Sequence, residues 1–544
     1  MAGSKNQNYL HGAAILAFGV VIMKILGAIY KIPLGNILGD DGYSFFYSAY
    51  NVYNVFLTLA TAGLPVALSR MIAEANTQGR RRQVKRIFTV SWCAFLVIGF
   101  VCSLIMAVFP TELAAALHRP EASRSILAIS PAVLLVCVMS AYRGYCQGME
   151  NMRPTTVGQV IEVLVKVVVG LVLAGALVKA GKSLPIASAG AIFGVAAGAL
   201  AALIYMWLYK SRNYRDSLED AGDTPDSTGK ILKTLFAIGI PITIGASGLS
   251  LINLIDTMLV NGRLQTAAGF SEYESSVLYG VFGKAQTLYN LPAAFITPLT
   301  ISVVPAIAAA MVKRDYREAG KVAETSLRIS MVIALPMGVG LAVLSEPIMN
   351  VVYPGSNAVG PTLLMIMGIA SFFVCVALIE NAILQAHGNE RLTIWSMVVG
   401  GVVKIAVNWF LVADPDINIV GAPVGTLACY AVMCVMNFVF ICRRMEYRPR
   451  IGRVLAMPLL SSAVMGACAW GVYGILHRVL AGVLSAGTGR FSSEWGLAAI
   501  AMLIAVAAAV VVYVIMIIIT RAVTAEDMKL IPKGEKIARL LHIR

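Results

Sequence analysis

Fourteen runs of mostly apolar residues follow one another along this 544-residue chain. Each is about as long as the roughly 20 residues that a helix needs to cross a bilayer. They cover 10–35, 44–72, 87–109, 124–148, 155–178, 186–209, 234–261, 277–311, 322–344, 361–386, 392–412, 419–441, 454–476 and 495–520. A backbone inside lipid must satisfy its own hydrogen bonds, so such runs fold as helices. The chain therefore reads as an all-α polytopic membrane protein with 14 transmembrane helices. Composition agrees: 58% of residues are hydrophobic and 13% charged, where a soluble domain carries about 25% charge. Too little charge is present to cover soluble domains, a secreted disulfide scaffold or a disordered tail. The first run contains Lys24 and is longer than a signal-peptide core, so it is expected to be retained.

The net charge of +15 has a pattern. Basic residues recur in short clusters between runs rather than in one patch, which argues against nucleic acid. The amino terminus, alternate loops and carboxy-terminal tail hold 28 Lys and Arg, and the opposite loops hold 6. Arg80-Arg81-Arg82 and Arg443-Arg444 lie on the rich side; Asp40-Asp41 and Asp414-Pro415-Asp416 lie on the poor side. By the positive-inside rule, both termini face the cytoplasm. Residues 524–544 mix lysines with leucines and isoleucines, as in an amphipathic helix on an anionic leaflet or a solvated tail.

Nine scattered cysteines form no CxxC, and five separated histidines form no HExxH. No metal, disulfide framework or cofactor is expected. No P-loop, nucleophile constellation or loop long enough for a nucleotide-binding domain is present, so neither enzymatic chemistry nor ATP-driven transport by this chain alone is expected.

An internal repeat organises the chain. Gln147 precedes Lys166 by 19 residues, and Gln385 precedes Lys404 by the same 19. Tyr53-Asn54 with Pro65 matches Tyr289-Asn290 with Pro305. Matches at one nearly constant offset indicate duplication. Helices 1–6 (1–215) then form an N-lobe, 216–233 a cytoplasmic linker, 234–445 a C-lobe of six helices, 446–520 two appended helices and 521–544 the tail. Six spans per half makes this a parallel pseudo-twofold repeat, in which a substrate site falls between halves.

Charges inside the spans are the functional candidates, because each is costly in lipid. Lys24, Lys166 and Lys404 sit deep in their runs, with Lys31, Lys284 and Arg143 also inside. Arg70, Arg124 and Arg328 lie near helix ends, where snorkelling accounts for them. Glu162 is four residues before Lys166 and reads as its partner; Asp256 and Glu380 are candidates for charge pairing or ion coupling. Asn51, Asn54, Gln147 and Gln385 add polar groups. Polar stripes of this kind can be helix–helix glue, but embedded lysines favour a wet cavity. Excess cations there want an anionic ligand. Prolines within spans suit helices that bend.

The segment Arg143-Gly144-Tyr-Cys-Gln147-Gly148, continuing through Met152, Pro154-Thr155, Gln159 and Glu162, resembles one in the stage V sporulation protein B and polysaccharide-transporter family. That family is related to MurJ-type lipid II flippases. Lys24 through Pro33 and Ala60 through Ser69 are similar to it as well. The resemblance covers residues 10 to about 445. It implies a two-lobed bundle that moves undecaprenyl-diphosphate-linked sugars across the cytoplasmic membrane, with cations on helices 1, 2 and 8 holding the diphosphate. Lys24 matches the first helix-1 cation through its following Leu-Gly, and Lys31 matches the second with a one-residue slip. The helix-2 cation is replaced by Val55-Phe56-Leu57, and Lys284 lies about one turn from the helix-8 position.

The leading expectation is a lipid-linked oligosaccharide flippase in a bacterial cytoplasmic membrane. Its partners would be the anionic lipid-linked cargo and membrane lipid. A MATE-type cation or drug antiporter is the alternative, with Glu162 and Asp256 as candidate cation ligands. A scaffold for cell-wall synthesis proteins is the third reading, and it leaves the embedded lysines unexplained.

Overall fold

Gly39 has φ 69° and ψ −170°, a backbone state open to glycine and costly for other residues, and it turns the first long helix back on itself. The computed structural model describes residues 2–214, 223–444, 451–485 and 494–522. Helix α1 (Ala2–Thr61) thus consists of two legs, one on each side of Gly39. The rest of the first half comprises α2 (Leu64–Thr77), α3 (Arg81–Val108), α4 (Pro110–Ala116), α5 (Ser123–Gly148), α6 (Arg153–Lys179) and α7 (Leu184–Asn213). Next come α8 (Thr228–Thr266), α9 (Glu272–Tyr289), α10 (Leu291–Val312), α11 (Tyr316–Val343), α12 (Ser345–Val352), α13 (Gly360–Ala386), α14 (Glu390–Leu411) and α15 (Gly421–Arg444). Helices α16 (Ile451–Ser485) and α17 (Glu494–Thr520) close the chain. The predicted tail helix over 524–544 lies outside the described residues.

Thirteen helical stretches are long and apolar enough to span a membrane among the described residues. One of them, Leu26–Thr77, contains the Gly39 turn, so it merges the first two predicted runs. The predicted run 277–311 is broken instead: α9 ends at Tyr289 and α10 restarts with Pro292 near its beginning, where the missing N–H is no loss. The helix order repeats. Arg81 and Tyr316, Pro110 and Ser345, Ser123 and Gly360, Arg153 and Glu390, and Leu184 and Gly421 start matching helices 235 to 237 residues apart.

Packing separates two compact units, 1–280 and 281–544. In the first, α1 packs on α5, α6 and α7, and α8 lies along α1, α2 and α3. The repeat boundary read from the sequence, 216–233, concerns duplication; by packing, α8 belongs with the first unit. In the second unit, α10, α11, α13, α15 and α16 share an apolar core that includes Ile296, Leu327, Ile379 and Ile441. Helices α16 and α17 attach to it through Leu344, Met465, Ala469, Ala509 and Tyr513. Outward faces keep large apolar residues such as Val97, Val168, Phe410 and Ile519. Such a surface suits lipid rather than water.

Candidate functional site: lysines on tyrosine faces

Two cations meet in the first unit. The first leg of α1 presents Lys31, whose ammonium lies over the Tyr50 ring at 5.0 Å. Helix α6 presents Lys166, whose ammonium lies over the Tyr30 ring at 5.7 Å. Both distances are within cation–π range. Among the described ion pairs, neither lysine has a carboxylate partner.

Local packing fixes this arrangement. The Tyr30 hydroxyl donates to the Ala191 carbonyl at 2.8 Å, and the ring is buried. Tyr30, Phe46, Tyr50 and Tyr53 form an aromatic row with successive centroids 5.9, 5.9 and 5.7 Å apart. Phe46, Tyr50 and Tyr53 recur at helical spacing on the second leg of α1, so they line one face. A Cβ at Gly170 would stand 2.7 Å from the Tyr30 hydroxyl. One at Gly194 would stand 2.8 Å from the Lys166 carbonyl, and one at Gly198 would collide with the Glu162 carbonyl. Helices α6 and α7 therefore touch backbone to backbone, which sets the height of Lys166.

Glu162 does not pair as its spacing predicts. It accepts a 2.6 Å hydrogen bond from Arg143 on α5, which corrects the expected Glu162–Lys166 pair. A spacing of four on one helix sees only that helix, whereas Arg143 becomes a neighbour through packing. Asn51 is also engaged: it donates to the Thr257 hydroxyl at 3.0 Å and to the Tyr279 hydroxyl at 3.3 Å. The Asn54 carbonyl accepts from Thr58, and the Thr58 hydroxyl also meets Ser250 at 3.0 Å. Asp256 is buried on α8, and Gln147 is half-buried on α5. Lys24 lies on the first leg of α1, with its side chain outside the described residues.

In the second unit, Lys284 is buried with its ammonium 5.2 Å from the centre of the Tyr353 ring. Lys404 and Asn408 are buried on α14, where Gly425 of α15 leaves room for the Asn408 carboxamide. Glu380 is 2% exposed, and one carboxyl oxygen has no hydrogen-bond partner. Gln385 is exposed near the end of α13.

Sequence reasoning missed Arg119. It lies between the predicted runs 87–109 and 124–148, yet it is 1% exposed. It donates to the Asn261 side-chain oxygen at 3.1 and 3.3 Å and to the Glu272 carbonyl at 2.9 Å. Burial pulls its pKa down to about 10, while Tyr279, Asp41 and Glu272 act the other way. It remains a cation at neutral pH. No spacing signal marks it, because its partners lie 142 and 153 residues away. Sequence reasoning also missed the tyrosines, because nothing in the sequence assigned them to lysines.

A profile of the polysaccharide biosynthesis protein family matches residues 9–311. The chain belongs to that family. The lipid II flippase MurJ of Bacillus subtilis (strain 168) is 26% identical over 481 residues, covering 85% of this chain and 88% of that protein. Stage V sporulation protein B of the same organism is 25% identical, covering 79% and 83%. Among solved structures, lipid II flippase MurJ in an inward closed conformation matches with a TM-score of 0.66 at 14% identity, covering 93% of this chain and 99% of that one. An inward-facing MATE family multidrug resistance transporter matches with a TM-score of 0.63 at 15% identity, covering 79% and 98%. These likenesses establish the polytopic helical fold. The chain is a multi-pass membrane protein, and its named relatives are transporters rather than enzymes.

Proposed function

We propose that this protein is a flippase for an undecaprenyl-diphosphate-linked cell-wall precursor, lipid II or a related oligosaccharide. It works by alternating access in a bacterial cytoplasmic membrane, with both termini in the cytoplasm. The observation that carries this reading is the Lys31–Lys166 pair: two ammonium groups held on tyrosine faces inside membrane spans, with no carboxylate partner among the described ion pairs. A diphosphate supplies the missing charge, and a lysine serves phosphate as a point charge. The similarity to a protein named as a lipid II flippase supports the same cargo. Lys24 precedes Lys31 by seven residues, a helical spacing that adds a further cation to the same run.

A cleft of about 350 Å³ in the second unit has an almost wholly apolar lining, including Leu291, Met337, Leu341, Met465 and Val510. It offers a place for part of a prenyl chain. Buried Glu380 favours a second reading, a cation antiporter, since carboxylates rather than lysines bind cations. Reconstitution separates the two. Proteoliposomes should flip a fluorescent prenyl-diphosphate-linked sugar and should not take up a cationic dye. Dye uptake without lipid flipping would replace the flippase reading by the antiporter one.

A further inference from the structure

A second polar site lies wholly within the second unit. Helices α10 and α13 border an open groove of about 420 Å³, lined by the polar side chains of Thr300, Asn381 and Gln385 and otherwise by apolar residues such as Ile301, Val304 and Pro305. That volume falls in the range of small-molecule sites. None of its lining residues is charged. Pro305 has no N–H, so it cannot bond the Ile301 carbonyl one turn earlier, and both residues line the groove. Asn381 uses its oxygen to accept from Asn437 at 2.9 Å, which leaves its two N–H groups as donors. Thr300 donates its hydroxyl proton to the Thr297 carbonyl at 2.7 Å and keeps its lone pairs. Gln385 is exposed and brings both a donor and an acceptor.

The groove therefore mixes neutral donors with neutral acceptors. An anion would want the cations of the first unit. A cation would want a carboxylate, and Glu380, beside Asn381 in sequence, is buried in the core and does not line the groove. Hydroxyl and acetamido groups fit, because each gives and takes hydrogen bonds. The internal repeat sharpens the contrast. Asn381 and Gln385 stand 238 residues after Arg143 and Gln147. The first half holds an Arg143–Glu162 ion pair, and the second an Asn381–Asn437 amide pair.

We infer that this groove is a subsite for the uncharged sugar portion of the cargo, recognised through its hydroxyl and acetamido groups. The inference rests on the flippase reading and is tested apart from it. Purified full-length protein in detergent is titrated with N,N′-diacetylchitobiose and, separately, with inorganic pyrophosphate. The disaccharide should bind saturably. Gln385→Met and Thr300→Val should each weaken it about tenfold, as expected when a bound polar group loses its partner. Both variants should bind pyrophosphate as the parent does, and Lys31→Gln should lose pyrophosphate while keeping the disaccharide. Thermal unfolding of each variant reports whether it is folded. A parent that does not bind the disaccharide overturns the subsite, as does unchanged disaccharide affinity in folded Gln385→Met and Thr300→Val. Failure of the parent to bind pyrophosphate would instead overturn the flippase reading.

Discussion

A lysine inside the membrane is a cost that something must offset, and at Lys31 and Lys166 the tyrosine faces supply part of that offset. In the proposed flippase function, an anionic cargo supplies the rest. Lys31→Gln keeps most of the volume and removes the charge, so it should slow lipid flipping by about tenfold or more, the size of a lost hydrogen bond to a charged group. Lys31→Arg should retain most activity, since a guanidinium also stacks on an aromatic ring. Flipping rates in proteoliposomes, with protein amount matched, check both; full activity of Lys31→Gln would remove the residue from cargo binding. Arg143 and Glu162 behave as a unit. Arg143→Ala or Glu162→Ala alone leaves a half-buried charge behind, so the double variant should be destabilised by less than the two single losses together. Thermal unfolding of the four proteins gives the coupling directly. The lysines stood out in the sequence because charge in an apolar run is conspicuous. Their tyrosines and the true partner of Glu162 were hidden, because those contacts join separate helices.

Helix α8 is tied to the first unit at both ends. Near its start, the Asp223 carboxylate accepts from the backbone N–H groups of Arg82 and Gln83, both at 2.9 Å. A residue 140 or so positions away thus caps the first turn of α3, where free N–H groups need acceptors. Gln83 and Asp226 add two further bonds at 2.9 and 2.6 Å. Burial works to raise the Asp223 pKa, but the amides of Arg82 and Gln83 and the charge of Arg80 outweigh it and hold it below the usual carboxylate value. A depressed carboxylate stabilises the fold above its unfolded-state pKa and loses that contribution as pH falls through the depressed value. Asp223→Asn should therefore lower the melting temperature at pH 7, with the difference from the parent shrinking in strong acid. An equal difference at every pH would mean that the charge contributes nothing. Run boundaries in the sequence located most helices to within a few residues. The turn at Gly39 was visible only as a gap between runs, and the break at Asn290 was missed because the apolar run continues through it. Gly198 shows why helix contacts are harder to read: its role depends on the Glu162 carbonyl of another helix.

At the scale of the whole molecule, apolar outer faces and matching helix starts 235 to 237 residues apart make a duplicated bundle that lipid surrounds. The direction in which it sits is a separate question, and it rests on charge. Insertion leaves basic loops on the cytoplasmic side, because moving Lys and Arg outward across the membrane is opposed. Ser211, exposed near the end of α7, belongs to a basic segment, and Asp416, exposed between α14 and α15, belongs to an acidic one. In a background without the nine native cysteines, a cysteine at Asp416 should react with a membrane-impermeant thiol reagent in intact cells. One at Ser211 should react only after the membrane is opened. The two sites are separated by α8 to α14, so a single misplaced span between them would put both on one side and give them the same labelling. Opposite labelling in the expected sense supports the orientation together with an odd number of spans between the two sites. Reaction at Ser211 alone would invert the protein, and the basic loops would then face outward.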